Sequence, residues 1–317
     1  MITAQSHRPK RSNILIIGLI IIAIYILLPQ VGSFQNSLMV LKNINLLPIG
    51  AALLTISATF FLAALTYRFL TLKPLQYHRT VLVALANMFT NRLLPAGTGS
   101  IATFYLYLRR NKHTVTQAGS VIAVNNSLGF AAHISLLGVT FVLYRQGFSG
   151  FQLPYIDFRL ICLILAVMLS LILFLTLKKS WHRRLRANWR QLIKNIKYYF
   201  HYPTRLLGAY SSSLTLTLCH AATLWFCTLA VGLEIGFLTA LAIFSIGILA
   251  GTATPTPGGL GGTEAGLLAG LIAYQVPAES ALAAVIVYRL IGYWLTLFIG
   301  IITYGYISKR NYLVASN

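Results

Sequence analysis

Gly251–Gly270 reads GTATPTPGGLGGTEAGLLAG, and the fold turns on how this stretch is read. Apolar sequence flanks it on both sides, yet it holds Pro255, Pro257, a Pro-Gly-Gly-Leu-Gly-Gly run and one carboxylate, Glu264. An unbroken spanning helix does not accommodate this composition. Proline withholds a backbone N–H that lipid cannot replace, and glycine opens backbone angles closed to other residues and admits a ligand closely. A break at membrane depth is tolerated only where protein or water surrounds it. A helix restarting near Thr263 aims its free N–H groups and positive dipole end into that cavity, which is how many carriers build a substrate site.

Working outward, the rest of the chain is that of a polytopic membrane protein. Of its 317 residues 57% are hydrophobic and 9% charged, and the mean hydropathy is +0.75, which leaves no soluble domain of useful size. The net charge of +21 raises nucleic acid as a partner. The cations, however, stand between hydrophobic spans and mostly in alternate loops, which is a topology signal and not a groove-binding stripe. Cys162, Cys219 and Cys227 lie inside apolar stretches without metal-ligand spacing and read as packing residues. The basic amino-terminal flank (Arg8, Lys10, Arg11) precedes an apolar run with no small-residue cleavage pattern, so an uncleaved anchor is expected.

A span needs about 20 mostly apolar residues, so about six full spans are expected, near 13–28, 46–67, 115–144, 160–177, 206–231 and 281–306. Two further apolar segments are broken. Val81 to Leu108 has two short arms joined by Asn91-Arg92-Leu93-Leu94-Pro95-Ala96-Gly97-Thr98-Gly99-Ser100, with Arg79 before it and Arg109, Arg110 and Lys112 after it. These flanks suit a re-entrant hairpin dipping in from the cytoplasm. Phe237 to Gln275 has no cation at either end and suits a hairpin dipping from outside. Of the 25 lysines and arginines, only Lys42, Arg145 and Arg159 fall outside in this topology, and Arg92 and Arg289 lie within membrane segments. That bias sets both termini inside, in a multi-pass protein of the cytoplasmic (inner) membrane. Residues 178–205 carry nine cations, from Lys178 to Arg205, and no acid, with Trp181, Leu185, Trp189, Leu192, Ile196 and Tyr199 at roughly helical spacing. An amphipathic helix on the anionic inner leaflet is expected there.

The two breaks share a Pro-x-Gly-x-Gly frame, Pro95 to Gly99 and Pro257 to Gly261. Each is flanked by full spans and every direction in the second copy is reversed, giving an inverted-topology repeat, about 46–144 and about 206–306, within one transmembrane domain spanning 1–317. The fold class is thus all-α. Paired interrupted segments point to a transport site near the midplane, with two similar gates; chance recurrence of two residues common in membrane helices is the competing explanation.

The motif TPTPGGLGGTEAGLLAGL, from Thr254 to Leu271, resembles the signature of the lysylphosphatidylglycerol synthase transmembrane-region family, flippase-like membrane domains related to the amino-terminal half of the bacterial multiple peptide resistance factor. The length and the Asn-x-x-x-Pro stretch from Asn91 to Pro95 also fit. The family's first motif often has arginine and glutamate where this chain has Gly97 and Ser100, which leaves the headgroup open. Because the sequence ends soon after its last span, the soluble aminoacyl-transfer domain of two-part members is expected to be absent. The resemblance therefore implies lipid translocation without lipid synthesis. A substrate does not follow from fold-level analogy.

Glu264 is the sharpest candidate, since a carboxylate within a membrane segment costs a few kcal/mol and usually faces a polar cavity. It either takes a cationic headgroup, relays a proton or neutralises Arg289. Arg289 and Arg92 suit a lipid phosphodiester, because guanidinium meets phosphate bidentately; snorkelling to an interface is the alternative. Pro95, Gly97, Gly99, Ser100, Pro257, Gly258, Gly259, Gly261 and Thr263 form the loops that would face the substrate, and Asn91 and Asn126 either line the cavity or bond across helices. His133 and His220 read as interhelical hydrogen-bonders; no metal site and no cofactor is expected. No ATP-binding motif is present, so transport would draw on a gradient or on consumption at the far side. The expected partners are membrane lipids and the anionic inner leaflet, with a second copy of the chain and a separate lipid-modifying enzyme as further candidates.

Three functions are thus open. A lipid flippase carries aminoacyl-phosphatidylglycerol or another anionic or polyprenyl-linked lipid. A polyprenyl-phosphate-dependent membrane glycosyltransferase needs metal or base carboxylates, and only Asp157, Glu234, Glu264 and Glu279 exist, without an Asp-x-Asp pair. A secondary carrier of a small ion uses the same inverted hairpins.

Overall fold

In a computed structural model, the residues described are 42, 44–71, 73–94, 97–143, 201–254 and 256–313. The expected spans near 13–28 and 160–177, and nearly all of the basic segment 178–205, lie outside them. All regular structure among the described residues is helical: α1 (Leu46–Leu70), α2 (Tyr77–Leu93), α3 (Thr98–Arg110), α4 (Val115–Leu143), α5 (Pro203–Ala230), α6 (Phe237–Ala253), a 3₁₀ turn (Pro257–Gly259), α7 (Gly262–Ala273), α8 (Ala278–Arg289), a π-helical segment (Leu290–Leu295) and α9 (Thr296–Lys309).

Local chemistry sets the helix starts. Asn45 caps α1, its Oδ1 accepting the Leu47 N–H at 3.1 Å. Thr114 and Gln117 form a capping box at α4: the Gln117 N–H donates to Thr114 Oγ1 at 3.2 Å and the Thr114 N–H to Gln117 Oε1 at 3.0 Å. Pro203 begins α5, where its missing N–H leaves no helical bond unmade. Among the described residues four helices are long and apolar enough to cross a membrane: α1, α4, α5 and the continuous run from Ala278 to Lys309. The others are too short alone. α2, with 17 residues, extends roughly 25 Å and α7, with 12, roughly 18 Å at the α-helical rise, against a hydrocarbon core of about 30 Å.

α1 and α5 pack antiparallel. The Asn45 N–H at the start of α1 donates to the Ala230 carbonyl at the end of α5, Thr55 and Thr223 share a hydroxyl bond of 2.9 Å midway, and Arg205 at the start of α5 reaches the carbonyl of Thr71 just past α1. α2 and α3 then form a hairpin from the end where α1 finishes, laced by Thr80–Tyr107 at 2.9 Å near its base and Thr90–Thr103 at 2.6 Å near its tip. α6 and α7 form a second hairpin from the opposite end, where α5 finishes. Small residues set the close approaches. A Cβ on Gly266 would lie 2.7 Å from Ala250 Cβ and 3.0 Å from Gly247 Cα, and one on Gly300 of α9 would lie 2.8 Å from the Phe89 backbone N of α2. Two apolar clusters result. One joins α1, α5, α6, α7 and α8 around Leu224, Phe244 and Leu267. The other joins the end of α1 to α2, α3 and α4, with Tyr67 stacked on Phe104 at 3.7 Å.

Two outcomes check this packing. Gly300→Val places a side chain where backbone stands and should cost about 1–3 kcal/mol, lowering the thermal midpoint in detergent; Gly305→Val, with nothing within 4 Å, should leave it nearly unchanged. Equal midpoints for the two variants would argue against the α2–α9 contact. At the α3–α4 turn His113 is buried, with Nδ1 near the Leu108 and Asn111 carbonyls. Burial outweighs those bonds and holds it below the ordinary value of 6.5. The neutral ring is therefore the folded form, and its contribution is present above pH 6.5 and lost as pH falls below it. The midpoint should drop between pH 7 and 5.5, and His113→Gln should flatten that dependence.

Candidate functional site

The turn between α6 and α7 is possible because three residues in five take left-handed backbone angles: Gly258 at φ +63°, Gly259 at φ +67° and Gly261 at φ +83°. L-residues pay roughly 1–2 kcal/mol for this region, glycine almost nothing. Gly258 also has no room to spare. A Cβ there would lie 2.7 Å from Cε2 of Tyr293 and 3.3 Å from Cγ of Arg92. Since Arg92 ends α2, the tips of the two opposed hairpins meet at this glycine. On the first tip Gly97, at φ +72°, precedes α3, and a Cβ there would lie 3.8 Å from Asn91 Oδ1, while Gly99 packs onto the backbone of Thr90 and Asn91.

The charged groups of the site follow from these two tips. Glu264, in the first turn of α7, uses both carboxylate oxygens: Oε2 accepts the Gly261 N–H at 2.8 Å, satisfying a helix-end donor, and Oε1 accepts from Arg289 Nε at 2.7 Å. Arg289 closes α8 at the π-helical segment. Arg92 Nη2 donates to the carbonyl of Gly292 within that segment at 2.6 Å, an oxygen that also accepts from Thr296 Oγ1 at 2.8 Å. Both guanidinium carbons lie 4.5 Å from the centroid of the Tyr293 ring, close enough for cation–π attraction. Two cations thus converge on one aromatic ring, only Arg289 of the two is paired with Glu264, and the three charged side chains sum to +1. Arg92 Nη1 and Arg289 Nη2 are buried with no hydrogen-bond partner among the described residues, as is Asn91 Oδ1. A buried guanidinium N–H without an acceptor costs more than a bond net contributes, so these two atoms are primed for an oxyanion.

The structure therefore brings together Glu264, Arg289, Arg92, Pro257, Gly258, Gly259 and Gly261, with Asn91, Gly97, Gly99 and the half-buried Ser100 on the adjoining tip. Thr263 is buried against Gly251 and Gly259 and serves packing. Asn126 stands apart: it is exposed on α4, and its bond is to Asn125 at 3.5 Å. Pro95 lies outside the described residues. Tyr293, the Gly292 carbonyl and the π-helical segment were not anticipated. Tyr293 sits one helical turn after Arg289, and that spacing was the available signal, hidden among 17 tyrosines. Among the described residues no three of His, Cys, Asp and Glu gather to hold a metal.

Comparison with known proteins assigns the family. The model of the lysylphosphatidylglycerol synthase TM region matches residues 15–300. The chain belongs to that family. It is a multi-pass membrane protein, the membrane domain type of the lysylphosphatidylglycerol synthase family. Among curated proteins it is 27% identical over 208 residues to the phosphatidylglycerol lysyltransferase of Staphylococcus haemolyticus (strain JCSC1435), covering 65% of this chain and 22% of that protein. It is 29% identical over 117 residues to the phosphatidylglycerol lysyltransferase of Staphylococcus aureus (strain MRSA252), covering 35% of this chain and 14% of that protein. The chain thus spans under a quarter of the length of these relatives.

The pair at the centre of the family member's site is partly exposed, at 12% for the Arg289 side chain and 30% for Glu264, so its strength falls below that of a fully buried pair. A double-mutant cycle of Glu264→Gln and Arg289→Gln on the thermal midpoint should return a coupling of about 1–3 kcal/mol; additive losses would count against the pair.

Proposed function

We propose that this protein is a lipid translocase, in which the two hairpins are re-entrant and enclose a polar passage for an anionic headgroup while the tails stay in the bilayer. The observation that carries the reading is the pair of buried guanidinium nitrogens, Arg92 Nη1 and Arg289 Nη2, without a hydrogen-bond partner among the described residues, at the point where the hairpin tips touch. A phosphodiester carries one negative charge and several acceptor oxygens. It matches a site of net charge +1 that offers two spare donors. Glu264 then orients Arg289 and caps the restarted helix, and its second use, toward an aminoacyl ammonium, requires it to leave one of those partners.

The antiparallel pairing of α1 with α5, and hairpins that start from opposite ends, support the inverted repeat that alternating access needs. In this reading both termini are cytoplasmic. Phosphatidylglycerol and its aminoacylated forms head the list of substrates because the relatives are named for phosphatidylglycerol; polyprenyl-linked lipids share the same phosphate chemistry.

The test is reconstitution of the full chain into phosphatidylcholine vesicles carrying fluorescent phosphatidylglycerol, lysyl-phosphatidylglycerol or a polyprenyl phosphate in separate arms, with dithionite access as the readout. Scrambling of at least one phosphate lipid should exceed that of empty vesicles, and Arg92→Gln should reduce it at least tenfold. Rates equal to empty vesicles in every arm, with protein shown folded by its thermal midpoint, would exclude the reading.

A further inference from the structure

A second cationic site lies at the end of the bundle where α2 begins and α3 and α9 finish. There Arg79, Arg110 and Arg310 line a cavity of about 360 Å³ whose walls include Tyr107 and Tyr312. Each arginine comes from a different helix, so their convergence is a product of the fold. None is paired with a carboxylate among the described residues. Glu264 is paired with Arg289, and the other described carboxylates, Glu234 and Glu279, follow α5 and begin α8, at the opposite end. Neighbouring cations are spent on local carbonyls: Lys73 donates to Lys112 at 2.6 Å and Arg109 to His113 at 2.9 Å. The three cavity arginines are less committed. Arg110 gives only Nε to the Asn311 carbonyl, at 3.2 Å. Arg79 lies 5.1 Å over the Tyr312 ring and Arg310 5.7 Å over Tyr306, without side-chain hydrogen bonds to described residues. α2 starts beside the cavity with no side-chain cap at Gln76, which adds the positive end of a 17-residue helix.

A track leads away from this cavity. Leu290, Trp294, Phe298, Ile302 and Tyr306 recur every four residues along the last helix, all exposed, and Arg310 is the next member of the series. The row runs from the residue after Arg289 to the cavity mouth. A cationic, aromatic-walled cavity at one end of an exposed apolar row has the shape of a diacyl or prenyl lipid with a phosphate head.

We propose that Arg79, Arg110 and Arg310 form a binding site for the phosphate group of an anionic lipid, whose chain lies along the Leu290-to-Tyr306 row. The site is separate from the hairpin tips and stands whether or not lipid is translocated there. Its expected side is the cytoplasmic leaflet, from the charge bias of the sequence.

The experiment uses purified full chain in a neutral detergent and follows the thermal midpoint during titration with phosphatidylglycerol, with phosphatidylcholine and with soluble glycerol phosphate. Phosphatidylglycerol should raise the midpoint where phosphatidylcholine does not, and Arg79→Gln with Arg310→Gln should weaken its apparent affinity at least tenfold. These two exposed side chains hold no bond to the backbone of the described residues, so the double variant should keep the lipid-free midpoint of the parent; Arg79→Lys with Arg310→Lys, retaining charge, should recover part of the response and guards against a folding defect. Arg92→Gln should retain the component that the Arg79/Arg310 variant loses, which separates this site from the hairpin tips. An identical response to both phospholipids, or one untouched by the Gln substitutions, overturns the proposal. A shift with glycerol phosphate equal to that with phosphatidylglycerol assigns the cavity to a soluble phosphate compound and overturns the lipid assignment.

Discussion

Two guanidinium groups and one carboxylate held among apolar helices constrain everything around them. A charge held among apolar helices costs free energy unless it is paired and hydrogen-bonded, and here the carboxylate of Glu264 meets that cost for Arg289 and for the Gly261 N–H together. Arg92 is held instead by the Gly292 carbonyl and the face of Tyr293. One carboxylate against two guanidiniums leaves the centre positive. That residual charge is the basis for proposing an anionic ligand there.

The same requirement explains the glycine content. Arg92 comes from one hairpin and Glu264 from the other, so the two tips must approach within van der Waals contact. Gly258 meets the Tyr293 ring and the Arg92 stem where any side chain would collide. Behind the tips, Gly247, Gly251, Gly266 and Gly270 let α6 and α7 close on each other. In lipid, where tails are as apolar as leucine, this steric fit and the interhelical hydroxyl bonds Thr55–Thr223, Thr80–Tyr107 and Thr90–Thr103 replace the hydrophobic drive of a soluble core. The π-helical segment belongs to the same economy of space. It falls where Arg289, Gly292 and Tyr293 must all face the meeting point, and π-type turns in helices commonly sit at such sites.

Much of this was legible from local pattern. The long helices begin and end within a few residues of where apolar runs meet Asn45, Thr114, Pro203 and the terminal cations. Helices break between Leu93 and Thr98 and around Pro257 to Gly261, as the composition of the two stretches leads one to expect, and Glu264, Arg289 and Arg92 stand out because charge is so scarce in apolar segments. Other features left no trace of that kind. Tyr293 looks like any interfacial aromatic, and nothing in the composition distinguishes Asn91, at the tip, from Asn126, exposed on α4. Arg79, Arg110 and Arg310 each read as an ordinary loop cation until three helix ends bring them to one cavity.

Hydrophobic runs, breakers and charge asymmetry are properties of neighbouring residues, and from them follow the helical class, the membrane setting and the position of both breaks. Contact between the breaks is another matter. Arg92 and Gly292 stand 200 positions apart, and their bond exists because α1 and α5 pack antiparallel and send the two hairpins toward each other from opposite ends. Side-chain partners across such distances are chosen by packing geometry, which a one-dimensional pattern does not encode. The sign of the site's charge is written in the residue types, whereas the two guanidinium nitrogens left without a partner among the described residues emerge only when the helices close.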